Sequence, residues 1–493
     1  MSSSIHLCNG DILCDPEKGQ FSRSLTIENA VVCAIDSPPP EGTMIIDLEG
    51  NVALPGLIDS HLHLTLGAAG VGDVDLSNAD CKEAFVALLL HGTKDIPNDS
   101  WLVASGWSDQ ALGGFPDKRW LKDLGDVPTI CLSLDLHSAV INDPVLALID
   151  VDHITAFPGA DNLCDGIVKE DALFEVVLSM IPPVDQQTRI SRTRLALKKM
   201  HAQGITLLGT METVDDIEQI LTPLQREQRM RFRVMCLDEP TAANLQICQS
   251  STSPFLCVTG FKAFLDGSLG SRTAKMYDPW NDVEGDGVWA GVAADETFSE
   301  WAAIVANANF APVVHAIGDQ AVGMALDAMA NLPEEVIPRI EHAQFIADHD
   351  LHKIEGRWFG VQPLHQLQDA KIAQTALNSE QTLLLHNWRR MVDAGAKLSF
   401  GSDWPVALPD PIAAMRVGID NGLSASEVVA MSTCFAADSL RSPKAGRLLL
   451  GSYGDVVILD RHPFNCDWKK YLPSVIMTIV AGNLVYQRDK DHA

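Results

Sequence analysis

A pair of histidines separated by one residue follows an apolar segment near the start of the chain. Residues 52–58 (Val-Ala-Leu-Pro-Gly-Leu-Ile) predict a buried strand, and His61 and His63 follow it in the order Asp59-Ser60-His61-Leu62-His63. Side chains at positions i and i+2 of a strand point to the same face, so both imidazoles can reach one point past its carboxyl end. Imidazole is a common metal ligand, and barrel enzymes carry their active sites at the carboxyl ends of their strands. The pair therefore predicts a metal site at a strand end.

Residues of the types that bind metals or carry catalysis end several later apolar segments, at intervals that fit a repeating strand–helix unit. His315 and His342 are 27 positions apart, and His342 and Asp403 are 61 positions apart. One strand–helix–strand unit takes roughly 30 residues, so these distances correspond to about one and two units. The further predicted strands are 204–208, 232–236, 258–262, 312–315, 338–342, 358–362 and 397–403. Together with 52–58 they make eight strands and predict an α/β fold, a distorted (β/α)8 TIM barrel. Lys262 then lies on the fourth strand, His315 on the fifth, His342 on the sixth and Asp403 on the eighth.

Longer motifs make this pattern specific. The chain resembles the amidohydrolase superfamily of metal-dependent hydrolases, and is most similar to its YtcJ-like members (amidohydrolase family 3), which include N-substituted formamide deformylase. The resemblance extends from about residue 5 to about residue 487, nearly the whole chain. The segments that carry it are 261–274 (Phe-Lys-Ala-Phe-Leu-Asp-Gly-Ser-Leu-Gly-Ser-Arg-Thr-Ala), 315–319, 341–344, 400–406, Gly106-Trp107 and 113–116.

The resemblance implies a set of metal ligands and a reaction. One or two divalent ions, with zinc expected, would be bound by His61, His63, Lys262, His315, His342 and Asp403. Lys262 would be carboxylated by CO2, which turns a cation into an anion with two oxygens that can bridge two metals. The implied reaction is hydrolysis of a carbon–nitrogen bond, amide-type but not a peptide bond, in a small molecule. Hydroxide activated by the metal would attack the carbonyl carbon, and Asp403 would be the catalytic proton shuttle.

Other interpretations of these residues and of the reaction stay open at this point. Each histidine could be a core residue, Lys262 an ordinary lysine paired with Asp266, and Asp403 a turn residue. Asp319 could accept the second N–H of His315, or cap a helix. The reaction could instead be that of a metal-dependent deaminase or a lactone or ester hydrolase of the same superfamily. A non-enzymatic scaffold would be expected to lack ligands, and none of the six is missing. The sequence contains no G-x-S-x-G elbow, P-loop or G-x-G-x-x-G fingerprint.

Residues that could contact the substrate are less constrained by motifs. Arg272 could pair with a substrate carboxylate or with Asp266, and His137 and Gln362 could reach the substrate, although structural packing explains each equally well. His365 is a similar case. The predicted second strand leads into Gly209-Thr210, where relatives often have His-Asp. This departure affects a detail around the site and leaves the predicted ligands intact.

Three regions fall outside the barrel rhythm. Residues 1–55 and 445–493 are β-rich, and by resemblance they form one small composite β-sandwich domain. The barrel then comprises residues 56–67 and 186–444. Residues 68–185 are an insertion, and long insertions at the mouth of a barrel are usually lids over the active site. Ser424 and Glu427 have the spacing of a capping box, which predicts a helix from there through Ser439.

Composition limits the classes of binding partner and the cellular compartment that we expect for this protein. The chain has 36 Lys and Arg against 65 Asp and Glu, a formal net charge of −29, which disfavours binding to nucleic acid and to anionic membranes. Its 11 cysteines include no C-x-x-C pair, as expected of a reducing compartment. The first residues show no basic segment followed by an apolar core, so we expect no signal peptide and a cytoplasmic protein. The expected partner is a small-molecule substrate, and a homodimer is left open.

Overall fold

The computed structural model describes residues 4–70, 74–93, 101–134, 138–170, 172–182 and 184–489. The chain divides into two compact units. One comprises Met1–Thr65 and Arg194–Ala493, and the other comprises Leu66–Thr193.

The strands of the described residues are numbered here in chain order. They are β1 Ile5–Cys8, β2 Asp11–Asp15, β3 Gln20–Ser22, β4 Leu25–Glu28, β5 Val31–Ile35, β6 Met44–Asp47, β7 Val52–Pro55, β8 Leu57–Leu62, β9 Val74–Asp75, β10 Leu102–Trp107, β11 Thr129–Ser133, β12 Ser138–Ile141, β13 Ile167–Lys169, β14 Ile205–Glu212, β15 Arg231–Cys236, β16 Leu256–Phe264, β17 Ala311–Ala316, β18 Arg339–His342, β19 Trp358–Val361, β20 Lys397–Phe400, β21 Val456–Leu459, β22 Val475–Val480 and β23 Asn483–Gln487.

The α-helices are numbered in the same way. They are α1 Leu64–Ala69, α2 Lys82–Gly92, α3 Asp109–Leu112, α4 Asp143–Leu146, α5 Val151–Ile154, α6 Gln186–Ala202, α7 Val214–Asp216, α8 Thr222–Gln225, α9 Ala242–Ser250, α10 Gly291–Ala294, α11 Phe298–Asn307, α12 Asp319–Ala328, α13 Gln366–Ala376, α14 Ser379–Leu384, α15 Trp388–Asp393, α16 Pro411–Asp420, α17 Ala425–Met431 and α18 Cys434–Ser439. Short 3₁₀ segments are Lys118–Trp120, Lys122–Leu124, Leu163–Asp165, Leu178–Met180, Glu334–Val336, Asp348–Lys353 and Pro363–His365, and π-helical segments are Ala172–Val177 and Ile217–Leu221.

Eight parallel strands form the barrel, in the order β8, β14, β15, β16, β17, β18, β19, β20. All eight overlap predicted strands, so the barrel prediction is confirmed. The first and last strands meet at the seam, where Ser60 Oγ donates to Ser399 Oγ at 3.1 Å. At the carboxyl end of the seam, the Asp403 N–H donates to the His61 carbonyl at 2.7 Å, and the His63 N–H donates to the Trp404 carbonyl at 2.8 Å. Barrel closure therefore brings Asp403 next to the two histidines.

The prediction of one strand over residues 52–58 was wrong in one respect. The segment is divided into β7, which belongs to a sheet of the chain ends, and β8, the first barrel strand. Gly56 lies between them, where an added Cβ would be 2.1 Å from Thr206 Oγ1 on the neighbouring strand β14. The chain can change sheets at this point because glycine has no side chain to clash with β14.

The two chain ends form two sheets that share one core. One sheet has the order β5, β4, β1, β6, and the other has the order β23, β22, β21, β7, β2, β3. In the second sheet β7 pairs antiparallel with β21, which joins the two ends directly. The buried core between the strands draws on both ends as well, with Ile5 and Ile27 packed in the same cluster as Val456 and Ile479. The predicted association of the two β-rich ends is therefore observed.

The helix predicted from Ser424 through Ser439 is interrupted. Ser424 and Glu427 do form the capping box, and α17 begins there, but it ends at Met431. The Ser432 carbonyl accepts the N–H of Ile58, the second residue of the first barrel strand, at 2.9 Å. Thr433 has φ −136° and ψ −96°, outside the helical region, and α18 starts after it. A bond to the barrel thus takes the place of helix continuation.

The unit of residues 66–193 has its own sheet, in the order β13, β12, β11, β10, β9. Strands β9 to β11 run parallel, and β12 and β13 continue antiparallel. Successive residues of this sheet belong to different apolar clusters, Ile130 to one and Cys131 to the other, so both faces are buried. That the insertion of residues 68–185 covers the barrel mouth stays a prediction. In the part of the chain that the structure describes, no helix combines the length and apolarity needed to cross a membrane.

Candidate metal centre

His61, His63 and Asp403 converge at the carboxyl end of the barrel seam. Asp403 Oδ1 lies 3.2 Å from His61 Nε2 and 3.5 Å from His63 Nε2. His61 is completely buried and Asp403 is 8% exposed. Ligand atoms of the three residues all lie within 4.8 Å of one another. Two imidazoles and a carboxylate at this spacing form a donor set suited to zinc.

The backbone at this point is shaped around the side chains. Asp403 has φ 58° and His342 has φ 70°, in the left-handed region that side chains other than glycine rarely adopt. Such conformations cost about 1–3 kcal/mol each and persist where the surrounding structure imposes them. Gly401 lets the end of β20 approach β8, because an added Cβ would lie 2.6 Å from the Cβ of His61.

A buried ion pair orients His61. Glu341 Oε2 lies 2.6 Å from His61 Nδ1, and Glu341 Oε1 lies 2.8 Å from an Arg339 terminal nitrogen. Burial alone would raise the pKa of Glu341, but Arg339 and His61 outweigh burial and lower the pKa to about 2. Glycine at position 360 leaves room for this carboxylate, since an added Cβ would lie 1.9 Å from Glu341 Oε2. An ionised Glu341 fixes the His61 ring so that Nε2 faces Asp403.

Three further predicted ligands lie beside this group. The His342 ring centroid is 5.0 Å from that of His61 and 4.4 Å from that of His315. His315 Nε2 lies 2.9 Å from the Gly267 carbonyl oxygen, which can hold the ring in place. Lys262 is 4% exposed, and burial lowers its pKa to about 8 although the charges of Glu341 and Asp403 oppose that shift.

Asp319 does not hold His315, so that prediction was wrong. Asp319 Oδ1 instead accepts the N–H of Tyr277 at 2.8 Å. Asp319 is also the first residue of α12, directly after the N-cap residue Gly318. Lys262 is not paired with Asp266 either, because both oxygens of Asp266 accept backbone N–H groups, from Lys275, Ile317 and Gly318.

The protonation states of His315, His342 and Asp403 suit a cation. Burial lowers the pKa of His315 to about 4 and the pKa of His342 well below its usual value, so both rings are neutral at pH 7. Burial opposes ionisation of Asp403, but its contacts with His61 and His63 outweigh burial and hold its pKa well below the usual range. Three buried nitrogens, His61 Nε2, Lys262 Nζ and His342 Nδ1, have no hydrogen-bond partner among the described residues. Buried polar atoms rarely lack partners, so this donor set fits a bound divalent cation.

Strand β14 supports the segment that follows the two histidines. Thr210 Oγ1 accepts the N–H of Leu64 at 3.0 Å and donates to Glu212 Oε1 at 2.5 Å. Glu212 also accepts from the N–H and the hydroxyl of Thr65. Burial raises the pKa of Glu212 to about 7. Thr210 therefore helps to fix the backbone next to His63.

The predicted substrate-contacting residues are placed unequally. Arg272 forms an ion pair with Asp282, through contacts of 3.2 and 2.6 Å, so the pairing with Asp266 considered above was wrong. Gln362 is 2% exposed and donates to the Gly360 carbonyl at 3.3 Å. His137 lies outside the described residues. Contact of any of these residues with a substrate stays a prediction.

Two carboxylates of the site were not predicted as functional. Glu341 lies in the motif of residues 341–344, directly before His342, and this position was the sequence feature that could have indicated a role. Its partner His61, however, is 280 positions away. Asp59 Oδ1 accepts the N–H groups of His61 and Ser402, at 3.2 and 3.0 Å, across the seam. Burial raises the pKa of Asp59 to about 6. Each carboxylate therefore contacts a residue that is distant in the sequence, His61 for Glu341 and Ser402 for Asp59.

Comparison with known proteins agrees with this architecture. The family model described as "Amidohydrolase family" matches residues 44–486. The chain is similar to the protein LONG AFTER FAR-RED 3 of Arabidopsis thaliana, at 27% identity over 97% of this chain and 91% of the relative. It is also similar to the YtcJ protein of Bacillus subtilis (strain 168), named as an amidohydrolase, at 24% identity over 96% of this chain and 97% of the relative.

A third relative and a solved structure bear on the chemistry. N-substituted formamide deformylase of Arthrobacter pascens is 21% identical over 90% of each chain. The crystal structure of an uncharacterized metal-dependent hydrolase from Pyrococcus furiosus superposes with a TM-score of 0.78 and 25% identity, over 94% of this chain and 100% of that chain. The predicted resemblance to YtcJ-like amidohydrolases is therefore confirmed. A family model that matches nearly the whole chain, and a barrel with a candidate metal site at its carboxyl end, show that the chain belongs to the amidohydrolase family of hydrolases.

Proposed function

We propose that the protein is a metal-dependent hydrolase that cleaves the carbon–nitrogen bond of a non-peptide amide in a small molecule. The observation that carries the proposal is the convergence of His61, His63, His342 and Asp403, with buried unpartnered nitrogens, at the carboxyl end of the barrel. The similarity to N-substituted formamide deformylase supports a linear amide as the substrate class. Zinc is the proposed metal, because imidazole and carboxylate donors suit it.

The six predicted ligands would hold one or two divalent ions. A bound ion of this kind would lower the pKa of a bound water molecule and polarise the substrate carbonyl. Asp403 would accept the proton of the attacking water, because its carboxylate lies beside the proposed ligands His61 and His63 and is ionised at neutral pH. The oxygen of that water forms a bond to the carbonyl carbon. Asp403 then passes the proton to the nitrogen as the carbon–nitrogen bond breaks, since an amine leaves poorly unless it is protonated. Amide and water thus yield a carboxylic acid and an amine.

Lys262 is proposed to be carboxylated. CO2 reacts with the neutral amine, and an ordinary lysine is almost entirely protonated at pH 7. Burial lowers the pKa of Lys262 to about 8, so roughly a tenth of the amine is neutral at pH 7. The site therefore favours the reactive form of Lys262 far more than an exposed lysine does.

The test combines metal analysis with turnover. Protein made in zinc-supplemented medium is assayed on a panel of N-substituted formamides, N-acyl amines and lactones, before and after treatment with a chelator. We expect at least one equivalent of metal, turnover of an amide, loss of turnover with the chelator and recovery with zinc. Turnover of lactones alone would refute the substrate class. Less than a tenth of an equivalent of any transition metal would refute the proposal as a whole.

A further inference from the structure

We infer that His365 is an additional metal ligand, which binds an ion together with His342 and the second carboxylate oxygen of Asp403. This inference rests on the metal dependence proposed above and adds a residue outside the six predicted ligands. His365 ends the 3₁₀ segment Pro363–His365, which follows β19, the seventh barrel strand. It therefore reaches the centre from a strand that supplies none of the six.

The first observation is an unpartnered nitrogen that faces the site. The His365 side chain is 11% exposed, and its Nε2 is buried with no hydrogen-bond partner among the described residues. That atom lies 3.9 Å from Asp403 Oδ2. The His365 ring lies nearly parallel to that of His342, with an angle of 17° and a centroid distance of 6.3 Å. Ligand atoms of His342, His365 and Asp403 all lie within 4.8 Å of one another.

The second observation is how the two oxygens of Asp403 are used. Oδ1 faces His61 and His63, at 3.2 and 3.5 Å, whereas Oδ2 faces His365. A carboxylate with histidine nitrogens near both oxygens has the arrangement of a bridge between two ions. One ion would lie among His61, His63 and Oδ1, and the other among His342, His365 and Oδ2.

The distances fit a metal better than a direct hydrogen bond. A tetrahedral zinc ion binds nitrogen and oxygen at about 2.0–2.2 Å, so its ligand atoms lie about 3.4 Å apart. The 3.9 Å between His365 Nε2 and Asp403 Oδ2 is too long for a hydrogen bond and would shorten by about half an ångström around such an ion. Pairs near the 4.8 Å limit of the group would need to approach by more than about 1 Å.

A neighbouring histidine shows what a purely structural role looks like. His386 is 3% exposed, and its Nε2 lies 2.8 Å from Asp369 Oδ2. The same oxygen accepts from Gln344 Nε2 at 3.1 Å, so His386 belongs to a hydrogen-bond network. His365, in the same region and similarly buried, has no such partner for Nε2 among the described residues. His386 therefore provides a matched control.

The experiment compares His365→Gln with His386→Gln in the full-length protein. Zinc content after dialysis and zinc affinity by competition with a chromophoric chelator are measured for both variants and for the unchanged protein. We expect His365→Gln to lose about one equivalent of zinc, or to bind the weaker ion at least tenfold less tightly. His386→Gln should match the unchanged protein in metal binding. Equal zinc content and affinity in His365→Gln and the unchanged protein would overturn the inference while leaving the proposed function intact.

A second variant separates ligand loss from misfolding. His365→Ala leaves a space that free imidazole can fill, so added imidazole should restore zinc binding and the visible absorption of cobalt-substituted protein. No recovery in a variant with an unchanged circular dichroism spectrum would contradict the ligand role. Absence of metal from the unchanged protein is a different outcome, because it would refute the proposed function itself.

Discussion

Replacement of Glu341 by glutamine tests whether the buried carboxylate tunes the metal centre. The change keeps the size of the side chain and removes the charge that faces His61 Nδ1 at 2.6 Å. A hydrogen bond to a charged group contributes about 1.5–3 kcal/mol, against about 0.5–1.5 kcal/mol for a neutral pair. The loss of about 1–1.5 kcal/mol corresponds to a roughly 5- to 13-fold weaker metal affinity. This range reaches the lower end of the roughly 10- to 100-fold effects seen when partners of metal ligands are removed.

A glycine variant displaces the same carboxylate while the Glu341 side chain itself stays unsubstituted. In Gly360→Ala the new Cβ would lie 1.9 Å from Glu341 Oε2, so Glu341 must move away from His61. Gly270→Ala is the control, because the atoms nearest to its new Cβ are 3.9 Å away. We expect Gly360→Ala to weaken zinc binding at least as much as Glu341→Gln, and Gly270→Ala to leave it unchanged.

The assay is zinc affinity of chelator-stripped protein, measured by competition with a chromophoric chelator at pH 7. Circular dichroism checks that each variant is folded, since Arg339 loses its buried counter-ion in Glu341→Gln. Unchanged zinc affinity in both Glu341→Gln and Gly360→Ala would refute the reasoning, because it would show that the orientation and charge of His61 do not depend on Glu341.

Three further outcomes are expected. Lys262→Ala should lose most metal and activity, and short carboxylic acids should restore part of both by replacing the carboxylated lysine; full metal content in the variant would exclude Lys262 as a ligand. Asp403→Asn should lower kcat by at least about 10²-fold with metal partly retained, because the amide cannot accept a proton; a near-normal kcat with metal in place would remove Asp403 from the proton transfer. Asp455→Asn breaks the fully buried pair with Arg231, at 2.6 and 3.0 Å, and should cost about 3–5 kcal/mol of unfolding free energy in urea titrations. The exposed control Glu227→Gln should cost at most about 1 kcal/mol, and equal losses would contradict the argument from burial.

The barrel was predictable because each of its strands is an apolar segment that ends at a recognisable point. His61, Lys262, His315 and His342 lie near the carboxyl ends of strands of one parallel sheet, so their regular spacing in the sequence brings them to the same edge of the barrel. Their positions could be predicted from the length of the strand–helix unit and the alternation of side chains along a strand. Asp403 followed from the same rhythm, since β20 closes the barrel against β8.

Pairings between distant segments were not predictable in the same way. Glu341 and His61 are 280 positions apart, and no local pattern states which carboxylate will meet which imidazole. The division of residues 52–58 into two strands depends on the contact between Gly56 and Thr206, which is a tertiary contact. The break at Ser432 likewise depends on a bond to Ile58 on the barrel. These features depend on which surfaces meet in the folded chain. Hydrophobic periodicity and secondary-structure propensity do not contain that information.

Backbone strain adds an independent argument that His342 and Asp403 serve chemistry. Their φ angles of 70° and 58° lie in the left-handed region, where glycine has no Cβ penalty, so glycine would relieve about 1–3 kcal/mol at each position. Packing alone gives no reason to keep a histidine and an aspartate there, since both side chains are polar and buried at a cost. The positions make sense if the side chains offer what glycine cannot, an imidazole nitrogen and an ionised carboxylate that meet at one point. The same two residues contribute to the group that includes His365, so two of the strained positions are also candidate metal ligands.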